Sequence, residues 1–499
     1  MAIQSLQYHN QTSYKRNTLG GHLLDWDNQP SIYKSYPGVE PIPLSESSGF
    51  PEVPFSELML DTEVRPSARC PGEVELSQIL RLTCSLTAKA STAMGPFYYR
   101  SVASAGALYP TELYLATPEV SGRDGGLYHY SVAQQGITPL RSGQFNAFLK
   151  QAAQWPEGFY PGLTFFISVI FFRSAWKYRD RAFRYHLLDT GHLLENLLLA
   201  LKAQKLSWTL TYDFDDIAID HFLGLDSSRE ATLALISLPD PDQNREPELR
   251  AIPDLDPLVL QASRVADTET RYPIIQELVN SASAHKGRDV VLPTDPLGFD
   301  VKKWLPLERQ EQWPEKIKYP ANLFSRRSKR NFIRQSVSAE AFKAILEGVS
   351  AEISCNQDIP EHSESSHTVG LLVGQVEGFI PGFYLLDRST YRLGLVKEGN
   401  FLWPMAHISL DQMWLAQAGF HLLFISDPAD LDHHRGPRGY RYSLISAGRL
   451  GERLYLLATA LGLGCCGIGA FYDQEAAELL GLDGNNRLIY FLAVGVIKK

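Results

Sequence analysis

Apolar positions recur at helical spacing through 190–205 and 449–461, and each segment is followed by a dense, β-branched run, 231–238 and 487–497. Apolar residues three and four apart line one face of a helix, whereas a short unbroken apolar run fits a buried strand. The run at 163–172 is the most apolar in the chain. It is too short to cross a bilayer as a helix and well suited to an interior strand. The pattern predicts an α+β fold in which the same succession of elements occurs twice.

The repetition extends to residue identity. Superposing 181–226 on 438–483 at a constant offset of 257 gives 17 identical positions in 46 without a gap, among them Arg181, Arg184, Tyr185, Gly191, Glu195, Asp216 and Gly224 with their copies. A second anchor lies upstream, where Arg65-Pro66-Ser67-Ala68-Arg69 corresponds to Arg326-Arg327-Ser328-Lys329-Arg330, each ahead of a helical pattern ending in Ile79-Leu80 or Ile345-Leu346. Self-similarity of this kind marks a fused duplicate. The halves are expected at 61–238 and 321–499. The Pro-rich and acidic stretch at 239–320 reads as a connection crossing the surface, and residues 1–60, aromatic and punctuated by proline, as an arm wrapped on the core.

Composition narrows the function. A length of 499 residues suits two domains, and 44 % hydrophobic with 21 % charged residues is a globular balance. A net charge of −9 with no long Lys/Arg block argues against nucleic acid as the principal partner, since phosphate binding needs a clustered basic surface. There is no basic stretch leading into an apolar core at the N-terminus and no transmembrane pattern, so a cytoplasmic protein with no membrane partner is expected. Five cysteines, scattered except for Cys465-Cys466, show neither disulfide nor metal-ligand spacing, and His433-His434 lacks ligand partners.

The chemistry-bearing stretches are few. Arg-x-Ser-x-Arg at a helix entrance sets two planar, charge-assisted donors around a hydroxyl, a set that suits an anion or a carbonyl edge, or simply a solvated helix start. Ser104-Ala105-Gly106-Ala107-Leu108-Tyr109-Pro110 offers small residues that let backbone approach a ligand, or else a tight turn before a strand. Gly462-Leu463-Gly464-Cys465-Cys466-Gly467 fits the dinucleotide fingerprint by letter. It follows a helical pattern instead of a strand, which argues against that role.

Together, the Ser104–Pro110 stretch, Lys177-Tyr178, Arg181-Ala182-Phe183-Arg184-Tyr185 and Asp189-Thr190-Gly191-His192, in this order, resemble the SagB/ThcOx-type branch of the FMN-dependent nitroreductase family. The resemblance implies two nitroreductase-like domains forming an intramolecular pseudo-dimer, with FMN at their shared interface. It implies a Lys-Tyr pair assisting the oxidation of peptide thiazolines and oxazolines, so Lys177 or Tyr178 becomes the candidate base and flavin the hydride acceptor. A lysine serves as base when burial or positive neighbours lower its pKa, and Arg179, Arg181 and Arg184 are the expected neighbours. It also implies that Cys466, Gly467, Ile468 and Gly469 form a loop offering backbone groups to the flavin.

Each motif can be tested against its copy. Lys177-Tyr178 falls on His434-Arg435, Asp189 and His192 on Ser446 and Arg449, and the stretch opposite Ser104–Pro110 lies near Ser365 to Gly370. Conversely 464–469 falls on 207–212, which has no glycine but holds Trp208 and Tyr212. One complete set results: Arg326, Ser328, Arg330 and Cys466 to Gly469 from the second half, with Ser104, Ala105, Gly106, Leu108, Lys177 and Tyr178 from the first. The expectation is an FMN-dependent oxidoreductase acting on a heterocyclic or peptide-derived substrate, with peptide-modifying enzymes as possible partners. The alternatives are an NAD(P)H-dependent nitro or quinone reductase and a flavin-loaded, non-catalytic subunit of a peptide-modifying complex.

Overall fold

The computed structural model describes residues 3–21, 23–45, 49–60, 66–92, 95–118, 125–153, 155, 158–240, 252–283, 298–301, 303–351 and 366–498. The strands of the first half are β1 (Ile42–Pro43), β2 (Leu86–Thr92), β3 (Gly95–Arg100), β4 (Thr111–Thr117), β5 (Gly126–Ser131), β6 (Gly136–Ser142), β7 (Pro161–Ile170), β8 (Thr209–Thr211) and β9 (Glu230–Pro239). Those that follow are β10 (Lys303–Pro306), β11 (Thr368–Val373), β12 (Gly382–Asp387), β13 (Arg392–Glu398), β14 (Phe420–Ser426), β15 (Gly464–Ile468) and β16 (Arg487–Gly495). They build two antiparallel sheets of identical order, β1-β6-β5-β4-β7-β9-β8 and β10-β13-β12-β11-β14-β16-β15, with β2 and β3 as a separate ribbon. The fold is α+β and duplicated, as the repeat predicts.

The dense apolar runs become the sheet centres. Every residue of β7 and of β14 is buried, and each strand has neighbours on both sides. The run at 163–172 is only partly strand, because Phe171 already begins a helix.

The helices that matter here are α1 (Ser5–Gln11), α2 (Glu73–Thr83), α3 (Phe171–Tyr178), α4 (Ala182–Ala203), α5 (Asp216–Leu223), α6 (Pro273–Ser283), α7 (Ala339–Ser350), α8 (Arg438–Ala460) and α9 (Asp473–Leu480). The long pair α4 and α8 crosses at the pseudo-dyad, where Gly191 and Gly448 are required by contact. A Cβ on Gly191 would lie 2.1 Å from the Ile445 carbonyl oxygen, and one on Gly448 2.2 Å from that of Leu188. One apolar core runs through both halves across this crossing.

The other repeated residues clasp the halves together. Arg181 and Arg184 each reach an Asp473 oxygen at 2.7 Å, and their copies Arg438 and Arg441 reach Asp216, the Arg441 contact being 2.7 Å. Burial alone would raise the Asp473 carboxyl, but the two guanidinium groups overturn this and hold it well below the usual carboxylate range. α5 and α9 end alike, on Gly224 and Gly481 in the left-handed conformation at φ 71° and 66°.

The arm and the separator are built into this frame. β1 comes from the arm and β10 from the separator, and each supplies an edge strand of one sheet. The arm's Thr12 carbonyl accepts from Arg181 at 3.0 Å, and the Tyr14 amide donates to Asp473 at 2.8 Å. Within the separator, α6 buries Ile275, Leu278 and Val279 in the common core, so this stretch is more than a surface crossing.

Candidate functional site

α3 follows β7 directly, and Arg179 at φ 51° turns the chain into α4, leaving Lys177 and Tyr178 at the C-terminus of α3. Against them lies the loop after β3. Gly106 adopts φ 67°, and a Cβ there would lie 2.7 Å from Tyr178 Oη and 3.4 Å from Lys177 Nζ, so glycine is needed for close approach. Ala107 and Tyr109 hold positive φ of 54° and 46° without being glycine, a strained conformation the surroundings must enforce. Asp189 supplies part of that enforcement: it accepts from Ser104 Oγ at 2.6 Å and from the Ala105 amide at 3.2 Å, while Ser104 Oγ accepts from the Tyr109 amide at 2.9 Å. Arg173 secures the Tyr109 carbonyl at 3.0 Å. Leu108 packs in a small apolar cluster with Phe172, Trp176 and Tyr178.

The electrostatics separate the two members of the pair. Burial, then the facing Arg330, lowers the Lys177 pKa. Burial, then the carboxylate of Asp189, raises that of Tyr178. Lys177 is thereby the readier base and Tyr178 a hydroxyl that keeps its proton. The neighbours expected from the sequence do not act on Lys177, since Arg181 and Arg184 are spent on Asp473. Asp189 itself is pushed up to about 7 by burial, against the pull of its Ser104 hydrogen bond and of His192.

The second half approaches from across the interface. Ser328 and Arg330 are exposed, Ser328 Oγ lies 2.9 Å from Tyr455 Oη, and Arg330 adjoins the Cys466 thiol, which burial raises and Arg330 draws back down. Residues 464–468 are the edge strand β15, not a free loop, and their groups are already engaged. The Gly467 amide donates to Tyr455 Oη at 2.6 Å, and the Gly469 carbonyl accepts from Arg181 at 2.9 Å and Tyr185 Oη at 3.1 Å. Both glycines are demanded by aromatic neighbours: a Cβ on Gly467 would lie 1.9 Å from Tyr490 Oη, and one on Gly469 2.5 Å from Tyr185 Cε1. Cys466 and Ile468 are buried in the apolar cluster beneath.

Arg326 is not a free cation. Its guanidinium is buried, donates to the carbonyls of Ser101 at 2.7 Å and Arg100 at 3.2 Å, and lies 3.5 Å from Glu452. It ties the second half to the strand that leads into the Ser104–Leu108 loop. Sequence reasoning missed a polar chain in the same place. Glu452 meets His192 Nδ1 at 2.7 Å, and His192 Nε2 meets Tyr490 Oη at 3.1 Å. A signal was present for one member, because Tyr455 stands opposite Leu198 in the duplicate; the strand register sets Tyr490 opposite Ala234.

The pseudo-symmetric position differs throughout. Arg65 lies outside the described residues, as does Ser365 of the stretch expected opposite Ser104–Pro110, whose Thr368 to Gly370 open β11. Arg69, the copy of Arg330, is held by both oxygens of Glu75 at 2.6 and 2.7 Å. Trp208 and Tyr212 are buried where Cys465 and Gly469 stand on the other side. Among the described residues no group of three or more His, Cys, Asp or Glu could hold a metal ion, and no helix is long and apolar enough to cross a membrane.

Comparison with known proteins agrees with the duplicated fold. A crystal structure from Anabaena variabilis, named as a nitroreductase, superposes with a TM-score of 0.78 over 99 % of this chain and 100 % of its own at 24 % identity, a likeness that bears on the fold alone. MJ1384 of Methanocaldococcus jannaschii, also named as a nitroreductase, is 28 % identical over 169 residues, covering 33 % of this chain and 85 % of that protein. The trifolitoxin-processing protein TfxB of Rhizobium leguminosarum bv. trifolii is 29 % identical over 181 residues, 34 % of this chain, and the match spans 48 % of TfxB. The family model named Nitroreductase family matches twice, at residues 72–238 and 323–496, one match to each sheet and its helices. The chain belongs to the nitroreductase family, as two of its units fused in tandem.

Proposed function

We propose that this chain is an FMN-dependent oxidoreductase that oxidises a heterocyclic, peptide-derived substrate such as an azoline. The observation that carries the reading is the meeting of Lys177 from the first half with Arg330 from the second. Among the described residues neither cation has a carboxylate partner, and Arg330 lowers the Lys177 pKa further than burial alone. Two like charges facing one another without an anion suit a site completed by an anionic group, which the phosphate and the electron-accepting ring edge of FMN supply. Arg330, Ser328 and the backbone of Ser104 to Leu108 would hold the cofactor, with β15 as its floor. FMN supplies a hydride acceptor when bound.

The protein's own part is positional and protonic. Loss of one hydride and one proton converts an azoline ring to the aromatic azole, and Lys177 Nζ is placed to take the proton. Tyr178, kept protonated by burial and by Asp189, is left with a hydroxyl proton to offer a substrate and does not compete as base. Asp189 fixes the loop through Ser104 and Ala105, and Gly106 leaves room for Tyr178 and Lys177 to reach past it. The azoline-oxidising branch that the motifs resemble, together with the likeness to a protein named as trifolitoxin-processing, supports a peptide-derived substrate.

The test is anaerobic mixing of the flavin-loaded protein with a thiazoline peptide. Bleaching of the flavin, with the peptide losing two hydrogens by mass, is the expected result. Bleaching by NAD(P)H but not by the peptide would establish the nitro or quinone reductase instead, and reduction by neither would leave a flavin-loaded binding subunit.

A further inference from the structure

A cavity of about 330 Å³ lies outside the flavin interface, between the first turns of α3 and the separator helix α6. Its floor is Phe171, Phe172 and Ala175, one wall is Tyr272 and Ile275, and another is Arg229, tied to Glu269 at 2.8 Å. Its size falls in the range of small-ligand pockets, which are mostly apolar with a few polar groups placed to orient the occupant. Gln276 and Asn280, whose side chains hydrogen-bond to each other at 2.9 Å, provide such groups at the rim beside the charged Arg271 and Glu277.

Helical geometry links this cavity to the site. Phe171, Ala175 and Tyr178 stand at i, i+4 and i+7, one face of α3. Ala175 and Phe171 precede Tyr178 along the axis by roughly 4.5 and 10 Å at 1.5 Å per residue. Tyr272 lines the cavity, and its hydroxyl, raised by burial, lies in the field of Arg179 and Asp180, the residues that follow Tyr178. In the duplicate, Pro428, Ala429 and Asp432 occupy the positions of Phe171, Phe172 and Ala175, and the arm lies over them, with Ser5 Oγ and the Leu6 amide donating to Asp432. In the half that has lost Lys177 and Tyr178, the position matching Ala175 is thus held by the arm.

We infer that this cavity binds an apolar side chain of the peptide substrate, aliphatic or aromatic, and so sets which ring of a peptide is presented to Lys177. The inference rests on the peptide-oxidation reading above. An extended peptide advances about 3.4 Å per residue, so the side chain in the cavity belongs two or three residues from the reacting ring. The rim amides of Gln276 and Asn280 meet the peptide backbone between them.

Two thiazoline peptides that differ only at that position, Phe against Gly, test the inference by their kcat/KM ratio. A fluorescently labelled pair without the ring, read by anisotropy, reports binding apart from turnover. Burial of a phenylalanine side chain predicts a preference for Phe of at least about tenfold. Ala175→Phe, which fills the floor, should bring the ratio close to one. Gln276→Trp, from a partly exposed rim position, should do the same if Ala175→Phe fails to fold. Equal binding of both peptides by the unmodified protein, or a preference that survives both substitutions, overturns the inference. If the Phe peptide binds, Ala175→Phe abolishes binding and no ring is oxidised, the oxidation reading fails and the cavity assignment stands.

Discussion

The charge state of Lys177 is set from both halves of the chain, by its burial in the first and by Arg330 of the second. An amine accepts a proton only when neutral, so substrate-driven flavin reduction should rise with pH through a value below the roughly 10.4 of free lysine. With FMN in excess, Arg330→Gln removes the facing cation, restores the amine's affinity for its proton and moves this limb to higher pH. Lys177→Met should erase the limb and slow reduction by about 10²-fold, the usual scale of general acid–base help. Tyr178→Phe should leave the limb in place, because the Tyr178 hydroxyl titrates above its ordinary range. Anaerobic stopped-flow across pH reads all three variants, and a limb unmoved by Arg330→Gln would remove Arg330 from the account. Asp189 shows what the sequence withheld at this scale. The difference from Ser446 was visible, but the partner loop holding Ser104 lies 85 positions away and only folding brings the two together.

The repeated Arg and Asp residues do their work between elements. Identity in both copies signals a shared constraint, yet pairing within a half and pairing across halves leave the same sequence pattern. The structure shows the second: α4 is held to α9, and α8 to α5. Removing one partner of such a buried cluster leaves charge uncompensated and costs about 3–5 kcal/mol. Asp473→Asn and Asp216→Asn should therefore both lower the thermal midpoint. Only Asp473→Asn should also loosen the flavin, since Arg181 bridges Asp473 and the Gly469 carbonyl beside the site. Thermal melts with released-flavin fluorescence check this, and equal flavin loss in both variants would mean that the clasp acts through stability alone. The periodicity placed the ends of these elements less well. α4 begins at Ala182, ahead of the expected 190, because its first turns carry Arg184 and His186, polar residues buried at the interface that break an amphipathic pattern. β15 was hidden because glycine and cysteine there answer to the rings of Tyr490 and Tyr455, not to strand propensity. The edge strands β1 and β10 are too short to leave any periodicity.

Fusing two units in one chain frees them from the identity that a homodimer imposes, and the two interface sites have diverged. The halves and their order were legible because the duplication supplies its own alignment; the fate of the second site needed the contacts. There the cation matching Arg330 is Arg69, neutralised by Glu75, and the glycine matching Gly469 is the buried Tyr212, whose carbonyl accepts from Arg438. Leu198 and Ala234 replace the hydroxyls of Tyr455 and Tyr490, and His434-Arg435 replaces Lys177-Tyr178. Each change removes a group the first site uses, so one FMN per chain is expected. Extracting the flavin from fully loaded protein and titrating it against chain concentration measures the ratio directly. Substitutions then identify the half. Arg326→Ala strips the cation from between Glu452 and the carbonyls of Arg100 and Ser101, a buried loss of about 3–5 kcal/mol that falls on the strand leading into the Ser104–Leu108 loop, and it should release flavin. Arg69→Ala breaks only a half-exposed pair and should retain it. A ratio near two would show both sites filled, and flavin lost with Arg69→Ala but kept with Arg326→Ala would place the working site on the opposite face of the pseudo-dimer.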